Sequence, residues 1–150
     1  MKRTLYIAYG SNMNIQQMAW RCPTAKVVGT TRLKGYKLLF RGYSRGAVAT
    51  VEPFKRGSVP VLLWSITPKD EAALDRYEGW PSFYRKETVE VEFGGETVAV
   101  MVYIMNDGHP LGTPSRGYYE TIREGYESAG FDIAFLRRAV KRCAAMDAHP

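Results

Sequence analysis

The chain has 150 residues, 45% of them hydrophobic and 24% charged, with a formal net charge of +6. That balance fits one globular domain, 1–150, large enough to bury a core without disulfide or metal staples, and it excludes a disordered or fibrous chain. No run approaches the ~18 apolar residues of a membrane-spanning helix.

Residues 4–9 carry the aromatic and β-branched content of a buried strand. Gly10-Ser11-Asn12 ends it in a turn, and residues 13–20 read as a short helix broken by Arg21-Cys22-Pro23-Thr24. Residues 27–40 alternate like a strand, with Gly29 and Gly35 as interruptions. A loop at 41–46 precedes a strand over 47–51 that Pro53 ends. Lys55-Arg56-Gly57-Ser58 reads as a turn, and 59–66 as a strong strand. Thr67-Pro68-Lys69-Asp70-Glu71 is the cleanest helix start, with an N-cap threonine, proline at the first helical position and acids in the first turn. That helix runs from Asp70 to Tyr77 and stops at Gly79 and Pro81. Strands at 87–93 and 97–105 flank a Gly94-Gly95 hairpin turn. A Gly/Pro-rich loop over 107–117 leads to helices at 118–128 and 132–146, split by Gly130. Strands first, one helix inserted and helices last argue for an α+β fold on a largely antiparallel sheet of six or seven strands.

Composition also constrains the chemistry. Cys22 and Cys143 are the only cysteines and form no CxxC unit, so two reduced thiols are expected. Met1-Lys2-Arg3 leads into a strand instead of the apolar run of a secretory leader, which with the thiols predicts a cytoplasmic protein. His109 and His149 show no metal-ligand spacing. Arg137, Arg138, Lys141 and Arg142 read as a solvated helix face, with nucleic-acid binding as the competing reading.

Two segments carry candidate chemistry. The Gly10-Ser11-Asn12 turn between strand and helix aims several backbone N–H groups at one point, which suits an anion or a developing oxyanion. Glu78 falls at the C-terminal end of the second helix, against the helix dipole and among Tyr77, Trp80, Phe83 and Tyr84. Desolvation there would raise its pKa and make it a general acid/base; the competing reading is a surface glutamate paired with Arg76 or Arg85. Ser11 lacks a recognisable triad partner, and Cys22 lacks an activating neighbour. Arg41, Arg45 and Arg85 are candidate carboxylate binders. Tyr103, Tyr118 and Tyr119 either pack or line a pocket. Asp75 and Arg76 read as helix surface.

Tyr9-Gly10-Ser11-Asn12, Leu74-Asp75-Arg76-Tyr77-Glu78-Gly79 and Tyr84-Arg85 together resemble the γ-glutamylcyclotransferase-like family, which includes the γ-glutamylamine cyclotransferases and AIG2-like proteins. The likeness extends through Phe40–Pro53, Trp64–Pro68, Pro114-Ser115, Tyr118, Ile122 and Gly125, and so covers most of residues 4–140. It implies a small mixed, largely antiparallel β-barrel with flanking helices. It also implies that Glu78 is the catalytic carboxylate and that Tyr9, Gly10, Ser11, Asn12 and Tyr84 bind substrate. The implied reaction closes a γ-glutamyl amine or γ-glutamyl amino acid to 5-oxoproline with no metal or other cofactor. The partner is then a small molecule, not a nucleic acid or a membrane, and a homodimer stays open. The alternative is a catalytically idle binding or interaction module on the same fold.

Overall fold

The computed structural model describes residues 2–148. Met1 and His149, named above for the leader and metal readings, lie outside the described residues, as does Pro150. The chain runs β1 (Thr4–Ala8), α1 (Ile15–Arg21), β2 (Lys26–Arg41), β3 (Val48–Ile66), α2 (Pro68–Glu78), β4 (Tyr84–Phe93), β5 (Glu96–Met105), α3 (Arg116–Ala129) and α4 (Ile133–Ala148). The strands form one sheet in the order β2-β3-β1-β5-β4. β1 is central, antiparallel to β3 and parallel to β5, which makes the sheet mixed but mostly antiparallel. Among the described residues, no helix is long and apolar enough to cross a membrane.

Five strands replace the six or seven expected because two breaks in the sequence pattern do not break the ladder. Gly35 takes φ +83° at an irregularity between Lys34 and Tyr36, and β2 continues through it. Tyr36 pairs with Pro53, and β3 runs on through residues 55–58, where a turn was expected. Gly57 is needed there: a Cβ would lie 2.1 Å from the Tyr36 carbonyl oxygen. The glycines thus bend one long hairpin instead of dividing it.

The bend shapes the whole sheet. Residues near Ile66 pair with β1, while Thr50, at the other end of β3, accepts a hydrogen bond from the Met105 N–H at the end of β5 (3.0 Å). On the far side β2 and β4 approach each other: the Thr31 hydroxyl donates to the Glu92 carbonyl, and the Phe93 ring occupies the space beside Gly29. The sheet is curled and barrel-like but not closed by a ladder between its edges. Ile7, Leu38, Val51, Val61, Leu63 and Val102 fill its inside with no exposure at all. Burial of each such side chain contributes about 1.5–3 kcal/mol.

Helices close the assembly around the end of β1. The first helix starts later than its sequence suggested. Ser11–Met13 form a single 3-10 turn, and Asn14 is the N-cap of α1, its side chain accepting from the Gln17 N–H. The Asn14 amide also donates to the Thr121 carbonyl (3.0 Å) and to Glu124 (3.1 Å), which ties this segment to α3. The contact is close because residue 125 is glycine: a Cβ there would sit 2.8 Å from the Met13 Cβ. At the start of α2, Thr67 is the expected N-cap and forms a capping box with Asp70, and Gly79 ends the helix at φ +70°.

Cys22 and Cys143 are both buried and neither forms a disulfide. Arg137, Arg138, Lys141 and Arg142 all face solvent on α4.

Candidate active site

β1 ends at Ala8, and the chain turns away at Gly10. Beyond that point a small, narrow cavity opens, lined by Tyr6, Tyr9, Gly10, Ser11, Asn12, Ala49, Glu78, Tyr84, Tyr103 and Tyr118. Tyr9, Gly10, Ser11, Asn12, Glu78 and Tyr84, singled out in the sequence, therefore surround one space. Of the three tyrosines left between packing and lining, Tyr103 and Tyr118 line it and Tyr119 does not.

The turn presents its backbone. The Met13 and Asn14 N–H groups bond back to Gly10 and Ser11, which closes the 3-10 turn. The Gly10, Ser11 and Asn12 N–H groups have no acceptor among the described residues. Backbone N–H groups left without an acceptor at a turn are able to answer negative charge. Gly10 is set by space: a Cβ would lie 3.1 Å from that of Ala49 and 3.5 Å from the Tyr118 hydroxyl.

Glu78 enters from the last turn of α2 and is half-buried. Among the described residues, no ion pair or hydrogen bond reaches its carboxylate. Burial pushes its pKa up to about 7, and the nearby Arg21 guanidinium opposes that rise. Neither arginine of the surface-pair reading reaches it: among the described residues Arg76 makes no ion pair with Glu78, and Arg85 pairs with Glu87 instead, at 2.5 Å. Arg41 likewise pairs with Glu52 at 2.5 Å, and Arg45 is exposed, so neither lines the cavity.

Arg21, which the sequence reading passed over as part of a helix break, binds the two halves of the site together. It donates to the Asn12 side-chain oxygen (2.5 Å) and to Gln17 (3.1 Å). Its guanidinium stacks 3.5 Å above the centre of the Tyr77 ring. The Tyr77 hydroxyl in turn lies 2.8 Å from the Ser11 hydroxyl. α1, the Gly10–Asn12 turn and the end of α2 are thereby fixed to one another. Below them, Tyr103 donates to Asp75 (2.6 Å), and Lys86 bridges Asp75 and Glu71. Asp75 thus faces inward, not to the helix surface. No positional signal in the sequence announces these cross-chain partners.

Burial raises the pKa of Tyr6, Tyr9, Tyr84, Tyr103 and Tyr118, so all five keep their protons. Among the described residues, no group of three His, Cys, Asp or Glu side chains is arranged to hold a metal.

The family described as "Gamma-glutamyl cyclotransferase, AIG2-like" matches residues 6–125, a span holding both the turn and Glu78. The chain belongs to that family. A γ-glutamylcyclotransferase of Bos taurus is 25% identical over 143 residues, covering 89% of this chain and 76% of its own. A solved γ-glutamyl cyclotransferase has the same fold, with a TM-score of 0.82 at 24% identity over 92% of this chain and 86% of its own. A crystal structure of a human protein gives a TM-score of 0.82 at 25% identity, covering 93% of this chain and 87% of its own. The family member described here keeps its cavity at the end of β1, where the turn and the end of α2 meet.

Proposed function

We propose that this protein cyclises a γ-glutamyl amine or γ-glutamyl amino acid to 5-oxoproline and releases the amine, with Glu78 as general acid/base. The observation that carries this reading is a carboxylate without donors, raised to about 7, in the same cavity as three free backbone N–H groups.

The substrate supplies its own nucleophile. Its α-amine attacks its γ-carbonyl, and the five-membered ring forms as the bond to the leaving nitrogen breaks. An intramolecular attack already has most of the required proximity, so the protein's task is to fold the chain and manage protons and charge. Ionised Glu78 takes a proton from the α-ammonium and so frees the lone pair. The protonated acid then gives that proton to the departing nitrogen, and the regenerated carboxylate takes the second proton from the attacking nitrogen, which leaves a neutral lactam N–H and passes that proton to the released amine. A pKa near ambient pH suits both halves of this exchange. The Gly10–Asn12 amides hold negative charge, either the substrate carboxylate or the oxyanion of the tetrahedral intermediate.

One continuous core supports reading 1–150 as a single domain, and the two free thiols support a cytoplasmic location. The deciding experiment incubates the purified protein with γ-glutamyl dipeptides, γ-glutamyl amines and glutathione and follows 5-oxoproline by mass spectrometry. Product from the parent and none from Glu78→Gln is the expected result. Saturable binding without product would replace this reading with an idle binding module.

A further inference from the structure

The hydroxyl groups around the cavity are not equivalent. A backbone carbonyl can only accept and a backbone N–H can only donate, so each fixed partner dictates which way a tyrosine proton points. Tyr9 faces the Tyr103 carbonyl at 2.7 Å, and Tyr84 faces the Ala49 carbonyl at 2.5 Å. Both must donate there, which leaves only lone pairs for the cavity. Tyr118 faces the Ala49 N–H at 3.0 Å, so it accepts there and its own proton points to the cavity side, where the Ser11 hydroxyl also lies.

Tyr6 is set by a longer chain of the same logic. A guanidinium has no acceptor, so Arg21 fixes the Asn12 side-chain oxygen toward itself. The Asn12 amide nitrogen then points the other way and donates to the Tyr6 hydroxyl at 2.9 Å. Tyr6 is thereby an acceptor from the protein and has its own proton to give. Among the described residues, no acceptor takes the proton of Tyr6, and the Tyr118 proton has only the Ser11 hydroxyl of the same turn within reach. The two donors also lie next to the free amides: Tyr6 through Asn12, and Tyr118 beside Gly10.

We propose that the cavity reads an amino-acid head group by hydroxyl polarity: Tyr6 and Tyr118 donate to an anionic oxygen, while Tyr9 and Tyr84 accept from the ammonium. This rests on the γ-glutamyl reading and deepens it. A ligand with a carboxylate and an ammonium on one carbon matches both sets at once. A ligand lacking either group leaves two buried hydroxyls unanswered. The anionic oxygen is the α-carboxylate, the tetrahedral oxyanion or both, and kinetics separate them.

The test uses γ-glutamylalanine, its α-carboxamide and glutarylalanine, which lacks the amine and acts as an inhibitor. Each hydrogen bond to a charged group should be worth about tenfold or more. Tyr6→Phe and Tyr118→Phe should raise KM for the acid about tenfold but barely change it for the α-carboxamide, if they hold the carboxylate. If they hold the oxyanion, kcat falls about tenfold for both substrates at unchanged KM. Tyr9→Phe and Tyr84→Phe should weaken both amine-bearing substrates and leave glutarylalanine inhibition unchanged. Asn12→Asp keeps the Arg21 partner but can only accept from Tyr6, so it should mimic Tyr6→Phe, and the double variant should add nothing further. Its thermal melt, read alongside, excludes misfolding.

Equal losses across all three compounds, or additive losses in the Asn12→Asp, Tyr6→Phe pair, would overturn the polarity assignment and leave the cyclotransferase reading standing. A parent protein that neither converts nor binds any of the three compounds would remove both.

Discussion

Asp70 and Glu78 stand at the two ends of α2 and receive opposite treatment from the fold. Burial pushes Asp70 upward, but hydrogen bonds from the Thr67 N–H and from the Thr24 and Thr67 hydroxyls outweigh it and hold the carboxyl below its ordinary range. The Thr24 hydroxyl lies 2.8 Å away and the Thr67 N–H 3.0 Å. Glu78 has no such donors, and burial raises it to about 7. One helix thus carries a carboxylate that stabilises the fold and another that costs stability. Burial pushes both the same way, and the donors supplied to Asp70 and withheld from Glu78 turn the first around. A site that withholds donors from a carboxylate keeps its proton affinity available for chemistry.

The sharpest way to break this contrast is Glu78→Gln, which should lower turnover at least about 1,000-fold with the fold intact, in the range of a lost general acid/base. A near-native rate in the 5-oxoproline assay would end the role assigned to it. The same variant should also be more stable than the parent at pH 8, by about 1–3 kcal/mol after allowance for partial exposure. The sign follows from the raised pKa. Between the ordinary 4.5 and about 7 the folded protein binds more protons than the unfolded chain, so parent stability falls as pH rises through that window. Denaturant titrations at several pH values should show the advantage of Glu78→Gln shrinking to nothing near pH 4.5.

Asp70→Ala tests the other end. Loss of the capping box should destabilise by about 1–2 kcal/mol at neutral pH. Asp70 has a depressed pKa, so its contribution is present above the ordinary carboxylate range and is lost as pH falls through its folded value. Parent and variant should therefore converge in acid because the parent loses stability as pH falls, whereas at Glu78 they converge because the parent gains it. The smallest expected effect belongs to Arg21. Its charge holds Glu78 down, so the acid limb of kcat/KM, near 7 in the parent, should move up by about one pH unit in Arg21→Met. An unmoved limb would mean that Arg21 acts on the site by geometry alone.

What could be read along the chain was what depends on neighbours in sequence. Thr67, Pro68 and Asp70 lie within one turn, and their cap formed as spelled. The Gly94-Gly95 hairpin did too, with both residues at positive φ. Lengths of strands were not legible, because whether Gly35 or Pro53 ends a strand depends on what the partner strand supplies. Nor was the start of α1, where Ser11, Asn12 and Asn14 are all capable caps and only the packing of α3 on Met13 and Asn14 selects Asn14. The candidate site divides in the same way. Glu78 and the turn could be singled out from local pattern, whereas Arg21, Tyr6 and Asp75 matter through contacts with distant segments. The direction of a hydroxyl proton is later still, since it exists only once every partner is in place.

The Ala49 N–H has a use of its own. It is held by the Tyr118 hydroxyl, while the Ala49 carbonyl, part of the next peptide group, receives the Tyr84 hydroxyl. An amide proton in the wall of the cavity is therefore protected by a side chain that also faces the ligand. Its hydrogen–deuterium exchange is a built-in gauge, slowing when a bound molecule tightens Tyr118 and quickening when that ring swings away.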